Sequence, residues 1–309
     1  MDIHVVQPGD TLYELAYQYG VSMSRLIQDN QLPDPSQLVV GQTLVIQYPR
    51  STCTVRSGDT LFSIARNAGI PLRQLLRNNP GLEGGDRIYP GQELVLSYQQ
   101  EKQGTLSVTG YAYPNIAPAL LQRTLPFLSS LAPFTYRPTV RGDLIPLADD
   151  AIVAAAQVMG VRPLLHLANL TETDSFSGEL AHALLSSPEA RTRLADNLME
   201  ILRRKGYRGI DVDLESVFPE DAQNYVRFLF LLRERLEPLG YPLLAALAPK
   251  TSASQQGELY QGHDYRGLGE AANGVLLMTY EWGYAFGPPM AVAPLDQVRR
   301  VAEDALTEI

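Results

Sequence analysis

The sequence holds a single cysteine, Cys53, so no disulfide can form within the chain and no part of its fold depends on one. A lone cysteine of this kind reads as a small apolar residue rather than as a nucleophile. Basic residues are in deficit: 25 Lys and Arg stand against 34 Asp and Glu, for a net charge of −9. A phosphate-binding surface needs the opposite balance, which excludes nucleic acid as a partner. No stretch approaches the roughly 18 apolar residues of a membrane span, which argues against insertion into a bilayer. The opening MDIHVVQPGD carries neither the basic nor the apolar region of a secretory signal peptide. His166, His182 and His263 lack metal-ligand spacing and no cysteine accompanies them, so neither a metal nor another cofactor is expected.

What is present begins with an internal repeat. The Gly-Asp-Thr-Leu of residues 9–12 recurs at 58–61, 49 positions later, and Gly41-Gln42 recurs at Gly91-Gln92, 50 positions later. Each unit reads as strand, helix, helix, strand. Thr11 followed three residues on by Glu14 predicts a capping box. Leu12, Leu15, Ala16 and Tyr19 then fall on one helical face, and Gly20 stops the helix. A second short helix holds Leu26 and Ile27 and runs into Asn30. A closing strand follows the Gly-Gln turn.

Both repeats resemble the LysM module nearly end to end, as small βααβ units over residues 3–47 and 51–97. That resemblance implies binding of N-acetylglucosamine-containing glycans, peptidoglycan or chitin, in a shallow groove. Carried over by position, the groove takes Gly9, Asp10 and Thr11 with residues 30–38, beginning at Asn30. In the second module it takes Gly58, Asp59 and Thr60 with residues 79–88, beginning at Asn79. Turn and helix-cap chemistry is the plainer alternative for the Gly-Asp-Thr triplets, since both polar side chains can satisfy amides at a helix start.

Residues 98–104 are polar and without apolar periodicity, and they read as a linker. Beyond them short apolar runs alternate with amphipathic stretches. Strands are predicted at 107–113, 134–137, 163–168, 209–215, 243–248 and 274–280. Ser187-Pro188-Glu189 predicts a helix start, Leu194, Leu198, Ile201 and Leu202 its buried stripe, and Gly206 its end. Pro219-Glu220-Asp221 opens a further helix, with acidic residues at the positive end of its dipole. Strands alternating with helices imply parallel βα units, and six fit between 105 and 309. The fold class is therefore α/β, with a (β/α)8-type TIM barrel over 105–309 that shows about six of its eight units.

Residues 207–215 read Tyr-Arg-Gly-Ile-Asp-Val-Asp-Leu-Glu. Side chains alternate faces along a strand, so Ile210, Val212 and Leu214 point one way and Asp211, Asp213 and Glu215 the other. A buried parallel strand is normally apolar on both faces. Three carboxylates stacked on one face break that rule, and such breaks mark function. Neighbouring carboxylates cannot all ionise comfortably, so one of them holds a proton near neutrality. A protonated carboxyl at the C-terminal end of a barrel strand is suited to be a general acid.

This line resembles the glycoside hydrolase family 18 signature Asp-Gly-x-Asp-x-Asp-x-Glu, with Arg208 standing where the first Asp would be. The resemblance implies substrate-assisted catalysis, an exception to the usual carboxylate pair. Glu215 would protonate the leaving oxygen, Asp213 would orient the substrate's acetamido group, and Asp211 would support it. A second match lies at 278–282, Met-Thr-Tyr-Glu-Trp, which resembles the family's Met-x-Tyr-Asp. It implies that Tyr280 bonds the acetamido oxygen and that Glu281 replaces the usual Asp. Tyr111 and Trp282 are candidate sugar-lining aromatics.

Residues 215–226 and 277–294 resemble those of the spore cortex-lytic N-acetylglucosaminidases, which join two LysM modules to a family 18 barrel. That resemblance implies hydrolysis of spore peptidoglycan and a place in the spore or cell envelope without a recognisable signal peptide. The competing readings are a chitinase and a non-catalytic peptidoglycan- or chitin-binding protein with a degraded barrel. With six units in place of eight, the chain reads as C-terminally truncated.

Overall fold

The computed structural model describes the chain except for residues 83–86, 101–103, 281 and 284–286. Two compact units emerge: residues 1–108 with 116–128, and residues 109–115 with 129–309.

The first unit contains the two repeats. In the first, β1 (Asp2–Val5) pairs antiparallel with β2 (Thr43–Ile46), and α1 (Leu12–Tyr19) and α2 (Met23–Asn30) lie between them in sequence. Thr11 caps α1 by accepting from the Glu14 amide, and its hydroxyl donates to the Glu14 carboxylate at 3.0 Å. Gly20, at φ 64°, ends the helix in the left-handed conformation that glycine adopts without penalty. Val6, Leu12, Leu15, Leu26, Leu44 and Ile46 form the core. Burial of each such side chain contributes about 1.5–3 kcal/mol, which is how so short a unit holds together.

The second repeat follows the same plan, with β3 (Pro49–Thr54) antiparallel to β4 (Glu93–Tyr98) and with α3 (Leu61–Asn67) and α4 (Leu72–Asn78) between. Here Thr60 and Ser63 complete a reciprocal capping box. Cys53 is half-buried rather than part of the core. Strand β4 continues through Tyr98, whose hydroxyl donates to the Asn78 carbonyl at 2.9 Å, so the first residue of the expected linker is structural. Residues 101–103 of that linker lie outside the described residues. Helix α5 (Pro118–Thr124) clusters with this unit.

The second unit is a wall of parallel strands. In order these are β5 (Thr109–Ala112), β6 (Ser130–Pro133), a third strand in two pieces, and then three more. A small antiparallel pair, β7 (Arg137–Pro138) and β8 (Leu144–Ile145), and helix α6 (Asp150–Val158) precede the third strand. Its pieces are β9 (Arg162–Pro163) and β10 (Leu165–Ala168). Helices α7 (Gly178–Ser186) and α8 (Pro188–Lys205) lead to β11 (Ile210–Asp213). Helix α9 (Ala222–Leu236) leads to β12 (Leu243–Leu247), α10 (Tyr265–Ala271) to β13 (Gly274–Leu277), and α11 (Leu295–Glu308) follows. The strands are those of a (β/α) barrel wall, and among the described residues the wall does not close.

Helix α8 begins and ends as its sequence dictates. Ser187 caps it by accepting from the Ala190 amide, and Gly206 closes it at φ 77°. Its stripe Leu194, Leu198, Ile201 and Leu202 packs in one cluster with Ile210, Val212 and Leu214 of the carboxylate strand. The outward face of β11 is thus apolar and covered by helices, and its inward face is left for Asp211 and Asp213. No helix among the described residues is long and apolar enough to cross a membrane.

The second strand differs from expectation. It occupies Ser130–Pro133, four residues before the predicted 134–137. A serine at its start and a proline at its end resemble a turn, but all four residues are buried. Pro133 stands at the last position, where the ladder stops and a missing amide costs little.

Candidate active site

The C-terminal ends of the parallel strands converge on a cavity of about 240 Å³ lined by Tyr111, Tyr113, Phe134, His166, Asp213 and Tyr280, among others. Strand register explains the grouping. His166 stands level with Asp211 and Ala168 with Asp213, so a small side chain leaves room beside the second carboxylate.

Asp211 is fully buried. Its Oδ2 accepts from the Tyr111 hydroxyl at 2.6 Å, and its Oδ1 has no hydrogen-bond partner among the described residues. Burial raises its pKa above the ordinary carboxylate range, and the Tyr111 bond opposes that rise. The carboxylate stack therefore contains the expected reluctance to ionise, seated at its deepest member.

Asp213 Oδ2 lies 3.7 Å from His166 Nε2. Burial depresses the His166 pKa to about 3, so the imidazole faces Asp213 as a neutral ring. Thr135 Oγ1 lies 2.6 Å from His166 Nδ1, and Phe134 stacks on the ring at 4.9 Å between centroids.

Glu215 is half-buried and lies two residues beyond the end of β11. Its amide donates to Asn169 Oδ1 at 2.9 Å, and its carbonyl accepts from Asn169 Nδ2 at 2.8 Å. The next residue, Ser216, has φ 52°, so the chain turns away sharply at this point. Arg208, in place of the family's first Asp, is exposed at the other end of the strand.

The structure thus brings Asp211, Asp213, Tyr111 and Tyr280 together. Trp282 is not among the cavity-lining residues, and its indole N–H donates to the Thr279 carbonyl at 2.8 Å. Glu281 lies outside the described residues. His166, Phe134, Tyr113 and Asn169 were not among the predicted site residues. The signal for two of them was the pair of polar residues in the apolar run Leu-Leu-His-Leu-Ala-Asn of 164–169.

In the repeats, Gly9 and Gly58 have φ of 96° and 86°, which only glycine adopts readily. Asp10 accepts from the Gln7 amide at 2.7 Å and Asp59 from the Arg56 amide at 2.7 Å, while Thr11 and Thr60 cap helices. The Gln7 bond, aided by His4, lowers the Asp10 pKa. These triplets build the loop.

Asn30 and Asn79, expected at the glycan grooves, both turn into their own modules. Asn79 is buried, its Nδ2 donating to the Leu75 and Val95 carbonyls and its Oδ1 accepting from the Val95 amide. Asn30 makes the same three bonds to Leu26 and Val45. Each asparagine clamps helix to closing strand and has no donor left for a sugar. Exposed apolar residues instead recur between the modules, Tyr13 with Phe62 and Val39 with Tyr89. Residues 83–86 of the second predicted groove lie outside the described residues.

The LysM domain profile matches residues 4–47 and 53–97, and the glycosyl hydrolases family 18 profile matches 169–303. Across its whole length the chain is 38% identical to the cortical fragment-lytic enzyme of Bacillus subtilis, covering 72% of that protein. The chain belongs to glycosyl hydrolase family 18. It is a glycoside hydrolase carrying two LysM domains. The cortical fragment-lytic enzyme of Bacillus anthracis is 35% identical, again over the whole chain and 72% of the relative. Among solved structures, the spore cortex-lytic enzyme SleL of Bacillus megaterium superimposes with a TM-score of 0.77 at 32% identity, over 99% of this chain and 71% of that one. A chitinase from Chromobacterium violaceum, at 22% identity and a TM-score of 0.60 over 66% of this chain and 65% of that one, shares the family 18 fold.

Proposed function

We propose that this glycoside hydrolase cleaves N-acetylglucosaminyl bonds in the peptidoglycan of the spore cortex and acts in the spore or cell envelope. The two LysM modules, residues 3–47 and 51–97, hold it to the wall, and the catalytic domain spans 105–309. Its relatives' names point to cortex fragments, and the inward carboxylates of β11 provide the chemistry.

Glu215 protonates the glycosidic oxygen. The acetamido carbonyl of the sugar attacks the anomeric carbon as the leaving group departs. Asp213 orients the acetamido N–H and stabilises the oxazolinium ion, and Tyr280 donates to the acetamido oxygen. Glu215 then takes a proton from water, which restores the acid and gives retained configuration. Asp211, kept reluctant to ionise by burial, limits like-charge repulsion on Asp213. Tyr111 fixes Asp211 through its 2.6 Å bond. Glu281 and Trp282, next along the chain from Tyr280, are the further substrate-binding candidates, Trp282 from outside the cavity wall itself.

The observation that carries the reading is the row of Asp211 and Asp213 on the inner face, leading to Glu215 and opening on an aromatic-lined cavity. The experiment is incubation of the purified protein with cortex fragments and with chitin oligomers. Release of reducing ends from cortex fragments supports the reading. Hydrolysis of chitin oligomers alone would replace it with a chitinase, and wall binding without hydrolysis would replace it with a binding protein.

A further inference from the structure

Backbone pairing around the carboxylate strand stops before Glu215. The last pair with β10 is Ala168 with Asp213, and the last with β12 is Val212 with Ala245. Leu214 and Glu215 are therefore past the ladder on both sides, where a strand normally loosens. Side chains take over. On the side of the third strand, Asn169 is fully buried and holds Glu215 by both amide and carbonyl, while its Nδ2 also donates to the Ser177 carbonyl at 2.9 Å. That two-point grip copies the bonds a neighbouring strand would make.

On the other side stands His263, also buried. Its Nδ1 accepts from the Ala248 amide at 2.9 Å. A backbone N–H can only donate, so Nδ1 carries no proton and Nε2 does. Nε2 then donates to the Leu214 carbonyl at 2.9 Å. Burial depresses the His263 pKa to about 4, which keeps this neutral form in place. The turn beyond is wedged as well. A Cβ on Gly178 would lie 2.6 Å from the Ser216 carbonyl oxygen, and one on Gly262 would lie 2.1 Å from that of Val217.

We propose that Asn169 and His263 are positioning residues that extend the frame of β11 past its last backbone pair and fix the peptide from which the Glu215 carboxyl projects. The proposal rests on Glu215 being the general acid. An acid misplaced by about 1 Å costs on the order of 100-fold in rate. That cost falls only on leaving groups that need a proton.

The test compares two substrates by kcat/KM, which reports on the step that expels the leaving group. One is a peptidoglycan fragment, whose leaving group is a sugar hydroxyl. The other is the 2,4-dinitrophenyl glycoside of N-acetylglucosamine, whose leaving group departs without protonation. Asn169→Ala is expected to lose about 100-fold on the fragment and only a few fold on the dinitrophenyl glycoside. Asn169→Asp keeps the shape but sets an oxygen against the Glu215 carbonyl, and the same split is expected should the alanine variant not fold. His263→Gln, which keeps a donor for Leu214, is expected to recover most of the loss seen in His263→Ala. Equal losses on both substrates, or none on the fragment, would overturn the proposal. Glu215→Gln on the same pair tests the underlying reading by itself, because a variant that spares the fragment would show that Glu215 is not the acid.

Discussion

The hydroxyl of Tyr111 on the first barrel strand donates to Asp211 Oδ2 on the fourth at 2.6 Å, beneath the cavity that Asp213 lines. This bond opposes the burial that raises the Asp211 pKa. Tyr111→Phe therefore leaves Asp211 harder still to ionise. The limb of the pH–rate profile that belongs to Asp211 moves to higher pH, and kcat falls about fivefold, the worth of an ordinary hydrogen bond that fixes the carboxyl. A profile unchanged in position would show that Asp211 takes no part in setting it.

Two buried neutral histidines make the fold acid-sensitive. His263 titrates at about 4 and His166 at about 3, against 6.5 for an unburied ring. Between those values the unfolded chain binds protons that the folded one refuses, so stability falls as pH drops from about 6.5 towards 4 and below. For His263 the full loss is on the order of 3 kcal/mol. The melting temperature is thus expected to decline across this window, and His166→Gln to flatten the decline. An equally steep decline in that variant would contradict the assignment.

The asparagine clamp separates stability from glycan binding. Asn79→Ala removes three hydrogen bonds and strands buried backbone groups of Val95 and Leu75. We expect a loss of about 2–4 kcal/mol from the second module, read as a lower denaturant midpoint, with wall pull-down retained at low temperature. Lost pull-down at unchanged stability would mean instead that Asn79 meets the sugar.

Much of this architecture was legible in the residues because its signals are local. Gly-Asp-Thr-Leu recurs at a fixed interval, and the triplet's left-handed glycine, turn aspartate and capping threonine lie within four positions. The carboxylates were legible because strand parity separates Asp211 and Asp213 from Ile210 and Val212. The second strand was not, since Ser130 and Pro133 have turn-like chemistry and only burial makes them a strand. The role of Asn169 was hidden for another reason. It bonds a peptide 46 residues away, and such a bond leaves no periodic trace. A polar residue at a loop entrance looks available for ligand, whereas the fold turns Asn30 and Asn79 towards their own closing strands.

Glu215 as the general acid is the step on which hydrolysis depends. Reducing-end release from cortex fragments should be measured with wild-type protein and with Glu215→Gln, at matched folding and matched wall binding. A fall of about 100-fold or more, the usual worth of a general acid, is the predicted result. Glu215→Gln protein that releases reducing ends at the wild-type rate would contradict it.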